Sequence, residues 1–543
     1  MPNLWYKNAV IYCVDVETFM DGNDDGVGDF AGLAHRLDHL ERLGVTCIWL
    51  NPFYPSPNRD NGYDITDYYN VDPRYGSLGD FVEFMQAAED RGMRVIVDLV
   101  VNHTSIDHPW FQAARSDPKS HYRDWYVWSE DKPENIHEGI IFPGVQEAIW
   151  SYDKAAKAWY LHRFYDHQAD LNIANPQVRE EILRIMGFWL ALGVYGFRVD
   201  AVPFLIEQKG IKKESHSNPH DFLSEMHDFL AWRRAGAVLL AEANIPYDQS
   251  DEFFDGGDRM SMIFDFPLNQ HVMLGFARRT AAPVRRALEH RPKPGGTAQW
   301  TNFLRSHDEL SLERLTIEER QECFEAFGPK PNMQIYDRGL RRRLAGMFEG
   351  DQDRLRLAYS LLFALPGTCM LWYGEEIGMS EDLSLKERAA VRTPMQWSDD
   401  QNGGFSTADA KQLVRPVREK GPFGYKEVNV SEQVRHPESL LKVISEMIAT
   451  RRSAPEIGWG EASIIDVGDD ELLVLRCDWR GDTVVTLHNF SEKDKQVRLE
   501  LEGISRFLPM LIGNKPMAII PADEPIKLPP LGYCWLRCEN ERH

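Results

Sequence analysis

The segment Gly196-Phe-Arg-Val-Asp-Ala201 is the clearest indication of the fold and of the chemistry that we expect of this chain. Residues 195–202 are largely apolar and alternating, which is typical of a strand buried in a sheet. Arg198 and Asp200 lie two positions apart, so their side chains point to the same face of that strand. Buried ions are costly unless they are paired. An isolated pair of this kind is most often structural, and a functional interpretation needs further charged groups nearby.

Two other apolar runs are also followed by a carboxylate. Glu242 comes directly after the run 238–241, and Asp308 follows the run 300–306. The carboxyl ends of parallel strands meet at one edge of a sheet, so three carboxylates in these positions predict one convergent acidic pocket. The alternative is a set of unrelated carboxylates spread around that edge.

Strand-like runs alternate with amphipathic helical stretches along most of the chain. Strands are predicted at 9–16, 47–53, 94–101, 195–202, 238–242, 260–268, 300–306 and 368–373, with helices at 30–44, 78–92, 176–193, 221–234, 269–289, 353–365 and 438–452. Continuous apolar strands separated by helices indicate a parallel sheet that is covered on both faces. Eight strand–helix units predict an α/β fold, a (β/α)8 barrel, with its site at the carboxyl ends of the strands.

The predicted domain organisation has two segments inserted into the barrel and one further domain after it. The barrel comprises residues 1–103 and 171–453, and residues 104–170, rich in Trp, Tyr, Asp and Pro, form a subdomain inserted after the third strand. Residues 309–350 are charged, predicted to be helical, and too long for an ordinary connection. Short strands separated by turn residues over 454–543 predict a C-terminal antiparallel β-sandwich.

Composition excludes several classes of function. The 543 residues include 61 basic and 84 acidic residues, and the resulting net charge of −23 argues against a nucleic-acid partner. The absence of any long apolar run or signal-peptide pattern argues against a membrane span or secretion. Seven cysteines without a zinc-binding spacing indicate a reduced, cytoplasmic protein. Assembly into a homo-oligomer is left open.

The three carboxylates suit the cleavage of a glycosidic bond. That reaction needs two carboxyl groups in different protonation states. Arg198 is expected to hold Asp200 ionised as the nucleophile. Glu242 follows an apolar run and has no adjacent cation in the sequence, which favours a raised pKa and the role of general acid and base. Asp308 is then the third group, which grips sugar hydroxyls and helps to distort the ring.

Four short motifs occur in a characteristic order and carry a family resemblance. They are Asp98-Leu-Val-Val-Asn-His103, Gly196-Phe-Arg-Val-Asp-Ala201, Ala241-Glu-Ala-Asn244 and Ser306-His-Asp308. Each is weak alone, but the ordered set on a predicted eightfold barrel resembles the signature segments of the α-amylase family, glycoside hydrolase family 13. The resemblance covers almost the whole chain. It implies a retaining mechanism through a covalent glucosyl-enzyme on Asp200, and no organic cofactor.

The same resemblance implies a set of sugar-binding residues. Tyr63 is expected to form a stacking platform for the first sugar, and Asp64 to bind its far hydroxyl. Arg392, in the segment Arg392-Thr-Pro-Met-Gln-Trp397, is expected to pair with Asp64 and close the end of the pocket around one non-reducing glucose. Further hydrogen bonds to the glucose hydroxyls are expected from His103, Gln168, Arg198 and His307.

An acidic loop between residues 21 and 29 predicts a structural Ca²⁺ or Mg²⁺ site. Oxygen-bearing residues alternate with glycines, which resembles the first part of an EF-hand loop, although Gly32 stands where the bidentate glutamate of an EF-hand belongs. The expected ligands are the side chains of Asp21, Asn23, Asp25 and Asp29 and the carbonyl of Val27. An acidic surface loop without metal is the alternative.

A second structural calcium site is implied by the family resemblance alone. It would lie between the inserted subdomain and the barrel, too far from the catalytic acids to activate water. The matching positions are Asn102, Asp170, the carbonyls of Phe204 and Leu205, and Glu207.

Several segments resemble the branch of the family that contains trehalose synthases and α-glucosidases. They are Trp5-Tyr-Lys-Asn-Ala-Val-Ile-Tyr12, Pro52–Pro57, Arg338–Leu344 and Val428–Val430. The segment Cys13–Phe19 differs from the usual sequence of the first strand in this branch. The insertion 309–350 fits a cover that retains freed glucose and excludes water. The predicted reaction is the interconversion of maltose and trehalose by intramolecular transfer. The alternatives are an α-glucosidase acting on maltose, sucrose or a similar small α-glucoside, and a non-catalytic scaffold.

Overall fold

Eight parallel strands close into a barrel in a computed structural model that describes residues 4–207, 209, 219–513 and 518–540. The strands are β1 (Val10–Val14), β2 (Cys47–Leu50), β3 (Arg94–Leu99), β4 (Gly196–Val199), β5 (Val238–Ala241), β6 (Met262–Phe264), β7 (Gln299–Phe303) and β8 (Thr368–Trp372). Each strand pairs with the next along the chain, and β8 pairs with β1 to complete the ring. The predicted (β/α)8 barrel is therefore confirmed.

Helices surround the barrel. The main ones span Phe30–His35, Leu37–Leu43, Leu78–Asp90, Pro176–Ala191, Val202–Leu205, Asp221–Arg233, Ser250–Phe254, Phe266–Arg278, Ala282–His290, Gln352–Ala364, Val430–Arg435, Leu440–Arg452 and Pro455–Trp459. Two stretches that the sequence predicts as single helices are divided. The first is broken at Arg36, and the second at Arg279, which adopts a left-handed backbone with φ of 58°. Apolar periodicity alone does not reveal such breaks, because it continues across them.

The strands are shorter than the apolar runs that predict them. Asp200 and Glu242 directly follow β4 and β5, whereas Asp308 lies in a loop beyond the end of β7. The predicted sixth strand, 260–268, is too long: the side chain of Asp265 accepts a hydrogen bond from the amide of Leu268 at 3.0 Å and starts a helix there. All three carboxylates nevertheless lie at the carboxyl end of the barrel.

The inserted subdomain leaves and rejoins the barrel at one place. Strands His103–Ser105 and Gln168–Asp170 pair antiparallel, so that His103 lies opposite Asp170 and Ser105 opposite Gln168. Between them lie the helix Pro109–Ser116 and a three-stranded sheet formed by Trp128–Ser129, Ala158–Leu161 and Trp150–Asp153. This pairing brings residues that are far apart in sequence to the rim of the barrel beside β3.

The insertion 309–350 is only partly helical, contrary to the prediction. It contains the helix Ile317–Phe327, the short helix Leu344–Met347 and a small antiparallel sheet of Leu310–Ser311, Gly339–Leu340 and Gln334–Ile335. The turn between the last two strands includes Tyr336 and Asp337, with φ values of 56° and 55°. Left-handed backbone at non-glycine residues carries no strong sequence signal, so the hairpin was not predictable from composition.

The C-terminal domain is antiparallel, as predicted, but its two sheets are unequal. A six-stranded sheet contains Glu461–Ile464, Leu472–Trp479, Asp482–Asn489, Tyr533–Asn540, Ile504–Ile512 and Ile520–Pro521, and a two-stranded sheet contains Lys495–Val497 and Ile526–Leu528. Val497, Ile526 and Leu528 from the smaller sheet share a hydrophobic cluster with residues of the larger one. The two sheets thus enclose a second core beside the barrel.

The described part of the chain contains no helix that is both long and apolar enough to cross a bilayer. The seven cysteines, all of which lie in that part, are free thiols.

Candidate active site

One buried guanidinium connects three carboxylates at the centre of the site. Nη1 of Arg198 donates to Asp98 Oδ1 at 2.7 Å and also to Asp200, and Nη2 lies 2.8 Å from Glu242 Oε2. Only 1 % of Arg198 is exposed. The structure therefore brings Asp200 and Glu242 within reach of a single side chain. Two carboxyl groups that contact one guanidinium lie close together, as the nucleophile and the acid of a retaining glycosidase must.

The backbone after β4 helps to position Glu242. Ala201 has a left-handed conformation with φ of 48°, and its amide donates to Glu242 Oε2 at 3.0 Å. The next amide, of Val202, donates to the carbonyl of Glu242 at 3.1 Å. An unfavourable backbone conformation at a non-glycine residue is characteristic of functional sites. Here it directs one amide at the carboxylate of Glu242 and the next amide at the backbone carbonyl of the same residue.

Asp308 completes the acidic group from the opposite side. Its Oδ1 lies 2.8 Å from Arg392 Nη2 and 3.0 Å from Arg388 Nη1, and its Oδ2 lies 3.2 Å from His307 Nε2. Asp200, Glu242 and Asp308 all line one inner cavity. An outer cavity of about 400 Å³ shares Glu242, Asp308 and Arg388 with it. The outer cavity has room for the second half of a small substrate.

Burial and charge give the three carboxyl groups different proton affinities. Burial raises the pKa of Asp200 to about 6, although Arg198 opposes the rise. Burial raises the pKa of Glu242 to about 7, again against Arg198 but with the help of the charges on Asp200 and Asp308. Burial disfavours ionisation of Asp308, but Arg388, His307 and Arg392 hold its pKa well below the usual range. Of the three carboxyl groups, Glu242 therefore holds a proton most readily and Asp308 least readily.

Glu242 has no adjacent cation in the sequence, but Arg198 contacts it directly in the folded chain, which corrects the reason predicted for its raised pKa. The raised pKa survives because the desolvation of the carboxyl group is the larger effect. Likewise Arg198 only limits, and does not reverse, the effect of burial on the pKa of Asp200.

Three of the predicted sugar-binding residues, Tyr63, His103 and Gln168, line the inner cavity, and two others, Arg198 and His307, line the outer one. The ring of Tyr63 is parallel to that of His307, with centroids 5.6 Å apart, and the Tyr63 hydroxyl lies 2.7 Å from His307 Nε2. His103 Nε2 contacts the Tyr63 carbonyl at 3.0 Å. Burial lowers the pKa of His103 to about 4 and holds that of His307 well below its usual value. Both rings are therefore neutral hydrogen-bonding groups at neutral pH.

The predicted ion pair between Asp64 and Arg392 is wrong. The Asp64 carboxylate accepts the Ser56 hydroxyl at 2.8 Å and the amides of Arg59 and Asp60 at 3.2 and 3.3 Å, and in the described residues it joins no ion pair. It therefore stabilises its own loop. Arg392 instead donates to the His307 carbonyl at 2.7 Å and to Asp308.

Of the two aspartates in this loop, Asp60 is the one that lines the inner cavity. Gln168 donates to it at 2.9 Å. Burial raises its pKa to about 6, against the charges of Arg388 and Arg392. Asp60 and Arg388, rather than Asp64 and Arg392, therefore line the inner cavity together. The segment Asp60-Asn-Gly-Tyr-Asp64 contains both aspartates, and nothing in its pattern tells which one faces inward.

At the predicted second calcium site, a lysine contacts two of the expected ligands. Lys209 Nζ lies 2.7 Å from Asp170 Oδ2 and donates to Asn102 Oδ1, and the Lys209 side chain is 1 % exposed. The Phe204 carbonyl accepts the amide of Glu207 at 3.2 Å. The Glu207 carboxylate contacts Arg163 at 2.6 Å and is 45 % exposed. An ammonium group thus supplies the positive charge between the subdomain and the barrel.

Replacement of Lys209 by methionine should destabilise the fold by about 3–5 kcal/mol, because it leaves the buried Asp170 carboxylate unpaired. Urea unfolding followed by circular dichroism measures this change. The double variant Lys209→Met with Asp170→Asn is the matched control and should recover part of the loss. An unchanged unfolding free energy in the single variant would contradict the assignment of Lys209 as the internal cation.

The acidic loop at residues 21–29 is folded around its own carboxylates. The Asp21 oxygens accept the amides of Asn23, Asp24 and Gly26 at 2.8–3.1 Å. Asp25 accepts the amide of Val27 at 2.8 Å, and Asp29 accepts those of Gly32 and Gly22 at 2.7 and 3.0 Å. In the described residues, no group of three or more His, Cys, Asp or Glu side chains is arranged to hold a metal. Metal binding by this loop stays a prediction.

A closed parallel barrel with carboxylates after β4, β5 and β7 that line one cavity has the architecture of an enzyme that cleaves glycosidic bonds. The family model of the alpha-amylase catalytic domain matches residues 13–460 of this chain. The chain belongs to the alpha-amylase family, as its motifs predicted.

Within the family, the chain is similar to synthases of trehalose and trehalulose and, at lower sequence identity than the trehalose synthase, to an oligo-1,6-glucosidase. It is 42% identical to the trehalose synthase/amylase TreS of Mycobacterium tuberculosis, over 93% of this chain and 85% of that protein. An oligo-1,6-glucosidase of Parageobacillus thermoglucosidasius is 30% identical over 95% of each chain. The crystal structure of trehalulose synthase MutB from Pseudomonas mesoacidophila MX-45 is 28% identical, with a TM-score of 0.80, covering 98% and 99% of the two chains. A mutant of MutB has been solved with its substrate sucrose.

Proposed function

We propose that this protein interconverts maltose and trehalose by breaking one glucosidic bond and remaking it at a different hydroxyl of the same glucose. The observation that carries the proposal is the pair of Asp200 and Glu242 on one guanidinium, with pKa values of about 6 and 7, at the inner end of the cavity. The higher identity to a trehalose synthase than to an oligo-1,6-glucosidase supports the choice of reaction.

The first step forms the glucosyl-enzyme. A carboxylate oxygen of Asp200 attacks the anomeric carbon of the non-reducing glucose of maltose while the carboxyl group of Glu242 gives its proton to the departing oxygen. The glycosidic C–O bond breaks, an ester to Asp200 forms, and one glucose is released into the outer cavity. Arg198, which contacts both carboxyl groups in the structure, holds them side by side for this step.

The second step reverses the first with a different acceptor oxygen. The freed glucose turns in the outer cavity and presents its anomeric hydroxyl to the glucosyl ester. Glu242, now a carboxylate, takes the hydroxyl proton, the new C–O bond forms, and Asp200 leaves as a carboxylate. Two inversions retain the configuration at the transferred carbon. The product is trehalose, and attack by water in place of the sugar gives two glucose molecules.

The insertion 309–350 supports retention of the freed glucose. Glu309 and Arg338, from this insertion, line the outer cavity. Arg338 Nη1 donates to the carbonyl of Ile141 in the inserted subdomain at 2.6 Å, and Arg388 Nε donates to Glu309 at 2.8 Å. The insertion thus connects to both sides of the cavity mouth, as a cover requires.

A product time course on maltose, trehalose and sucrose tests the proposal. We expect trehalose to accumulate from maltose, and maltose from trehalose, with glucose as a minor product. Glucose alone would support the second candidate, an α-glucosidase, which the similarity to an oligo-1,6-glucosidase favours. A protein that consumes none of the three sugars would contradict both.

We further propose that the loop at residues 21–29 holds a structural Ca²⁺ or Mg²⁺. Its donors are oxygen atoms, which these cations prefer. Burial raises the pKa of Asp29, and the nearby charges of Asp21 and Asp25 add to the rise, so a bound cation would relieve their repulsion. Chelation by EDTA should lower the melting temperature by a few degrees, and added Ca²⁺ should restore it. The variant Asp25→Asn should respond less, and an unchanged melting temperature in the wild type would contradict the site.

We also propose that the protein is cytoplasmic, and the free thiols of its seven cysteines agree with this location. Assembly into a homo-oligomer stays a prediction.

A further inference from the structure

A cluster of Tyr165, Tyr336 and Glu387, which we call the latch, lies behind the wall of the inner cavity. The hydroxyls of Tyr165 and Tyr336 both donate to Glu387 Oε2, at 2.7 and 3.0 Å, and lie 3.2 Å from each other. The latch residues come from three separate parts of the chain, namely the inserted subdomain, the insertion 309–350 and the segment after β8. One carboxylate oxygen therefore joins the three segments that surround the cavity mouth.

The latch is in direct contact with residues that line the inner cavity. Phe142, which lines it, stacks on Tyr165 with ring centroids 4.7 Å apart and lies 4.8 Å from the ring of Tyr336. The guanidinium of Arg388 lies 4.8 Å from the Phe142 ring. Arg388 follows Glu387 directly in the chain and contacts Asp308 at 3.0 Å. Movement of Glu387 would therefore shift a cavity wall and an arginine that touches Asp308.

The backbone at the latch is strained. Glu387 has φ of 42° and Tyr336 has φ of 56°, which are left-handed conformations that residues with a Cβ rarely adopt. Such conformations persist where surrounding contacts enforce them. The hydrogen bonds of the latch are contacts of this kind. Their removal should let both segments relax away from the cavity.

We propose that Glu387 is a specificity-determining residue that holds the cavity mouth closed between the two steps of the reaction, so that the freed glucose is transferred and not exchanged with the solvent. This inference rests on the proposed interconversion of maltose and trehalose. Glu387 acts by positioning, because it lines neither the inner nor the outer cavity. Its acceptor oxygen sets how often the mouth opens during the lifetime of the glucosyl-enzyme.

The test supplies unlabelled maltose together with ¹³C-labelled glucose and measures the label in the trehalose formed. In the wild type, trehalose should carry little label, because the freed glucose remains inside. In Glu387→Ala, both the labelled fraction of trehalose and the ratio of glucose to trehalose should rise about tenfold, since two hydrogen bonds to a charged acceptor are lost. Tyr336→Phe removes one of these bonds and should give an intermediate rise. Glu318→Ala, an exposed glutamate of the same insertion, is the matched control and should behave like the wild type.

The outcomes separate the latch from the proposed function. A wild type that makes only glucose from maltose contradicts the interconversion itself. A wild type that makes unlabelled trehalose, together with Glu387→Ala and Tyr336→Phe variants that do the same, contradicts the latch alone. A fall in the melting temperature without a change in label incorporation would show that Glu387 is merely structural. Label in trehalose that rises in both latch variants and not in Glu318→Ala supports the inference.

Discussion

Replacement of Asp200 by asparagine is expected to reduce turnover of maltose by at least about 10⁴-fold, as loss of a covalent nucleophile does in other enzymes. Asparagine keeps the size of the side chain but cannot form the glucosyl ester. The variant should still fold, because Arg198 retains Asp98 and Glu242 as partners. Steady-state rates of maltose consumption measure the effect.

Asp98 provides the matched control for this experiment. It is buried on the same guanidinium, 2.7 Å from Arg198 Nη1, but lines neither the inner nor the outer cavity. If Asp200 acts only by neutralising Arg198, then Asp98→Asn and Asp200→Asn should be equally damaging. We expect Asp98→Asn to retain far more activity. Equal losses, or a largely active Asp200→Asn enzyme, would contradict the assignment of the nucleophile.

The second large effect is expected from Glu242→Gln. Glutamine occupies the same space but can neither give a proton to the leaving oxygen nor take one from the acceptor, and general acid–base catalysis contributes about 10²–10⁴-fold. Substrates with a leaving group that needs no proton, such as glucosyl fluoride, should suffer much less. A uniform loss on maltose and on glucosyl fluoride would mean that Glu242 has another role.

The pH dependence of kcat/KM reports the protonation states of Asp200 and Glu242. Asp200 must be ionised, so activity should fall below its pKa of about 6, and Glu242 must be protonated, so activity should fall above its pKa of about 7. The wild type should therefore show a narrow bell. In Glu242→Gln the alkaline limb should disappear while the acid limb remains. An alkaline limb that persists in the variant would have to belong to another group.

The barrel and the convergence of the acids could be predicted because both depend on local pattern. Buried parallel strands read as short apolar runs, and a charged residue just after such a run lies at the rim whatever the distant sequence does. This logic located Asp200 and Glu242. It worked less well for Asp308, which lies in a loop beyond β7 rather than at the strand end.

The remaining details depend on contacts between segments that are distant in the chain. Asp60 and Asp64 are alike in sequence, and only the folded loop turns one toward the cavity and the other toward backbone amides. Lys209 reaches Asp170 and Asn102 across the junction of subdomain and barrel, where the family resemblance led us to expect calcium. Charge pairing of this kind leaves no periodic signal, so the sequence could not reveal it.

The most direct test of the account is to trap the glucosyl-enzyme and find the residue that carries it. Incubation of the protein with a slow-turnover substrate such as 5-fluoro-α-glucosyl fluoride, followed by proteolysis and mass spectrometry, identifies the labelled peptide. We expect one fluoroglucosyl group, attached to the carboxyl group of Asp200 and absent from Asp200→Asn. A label on any other residue, or turnover without a covalent intermediate and with inversion at the anomeric carbon, would contradict it.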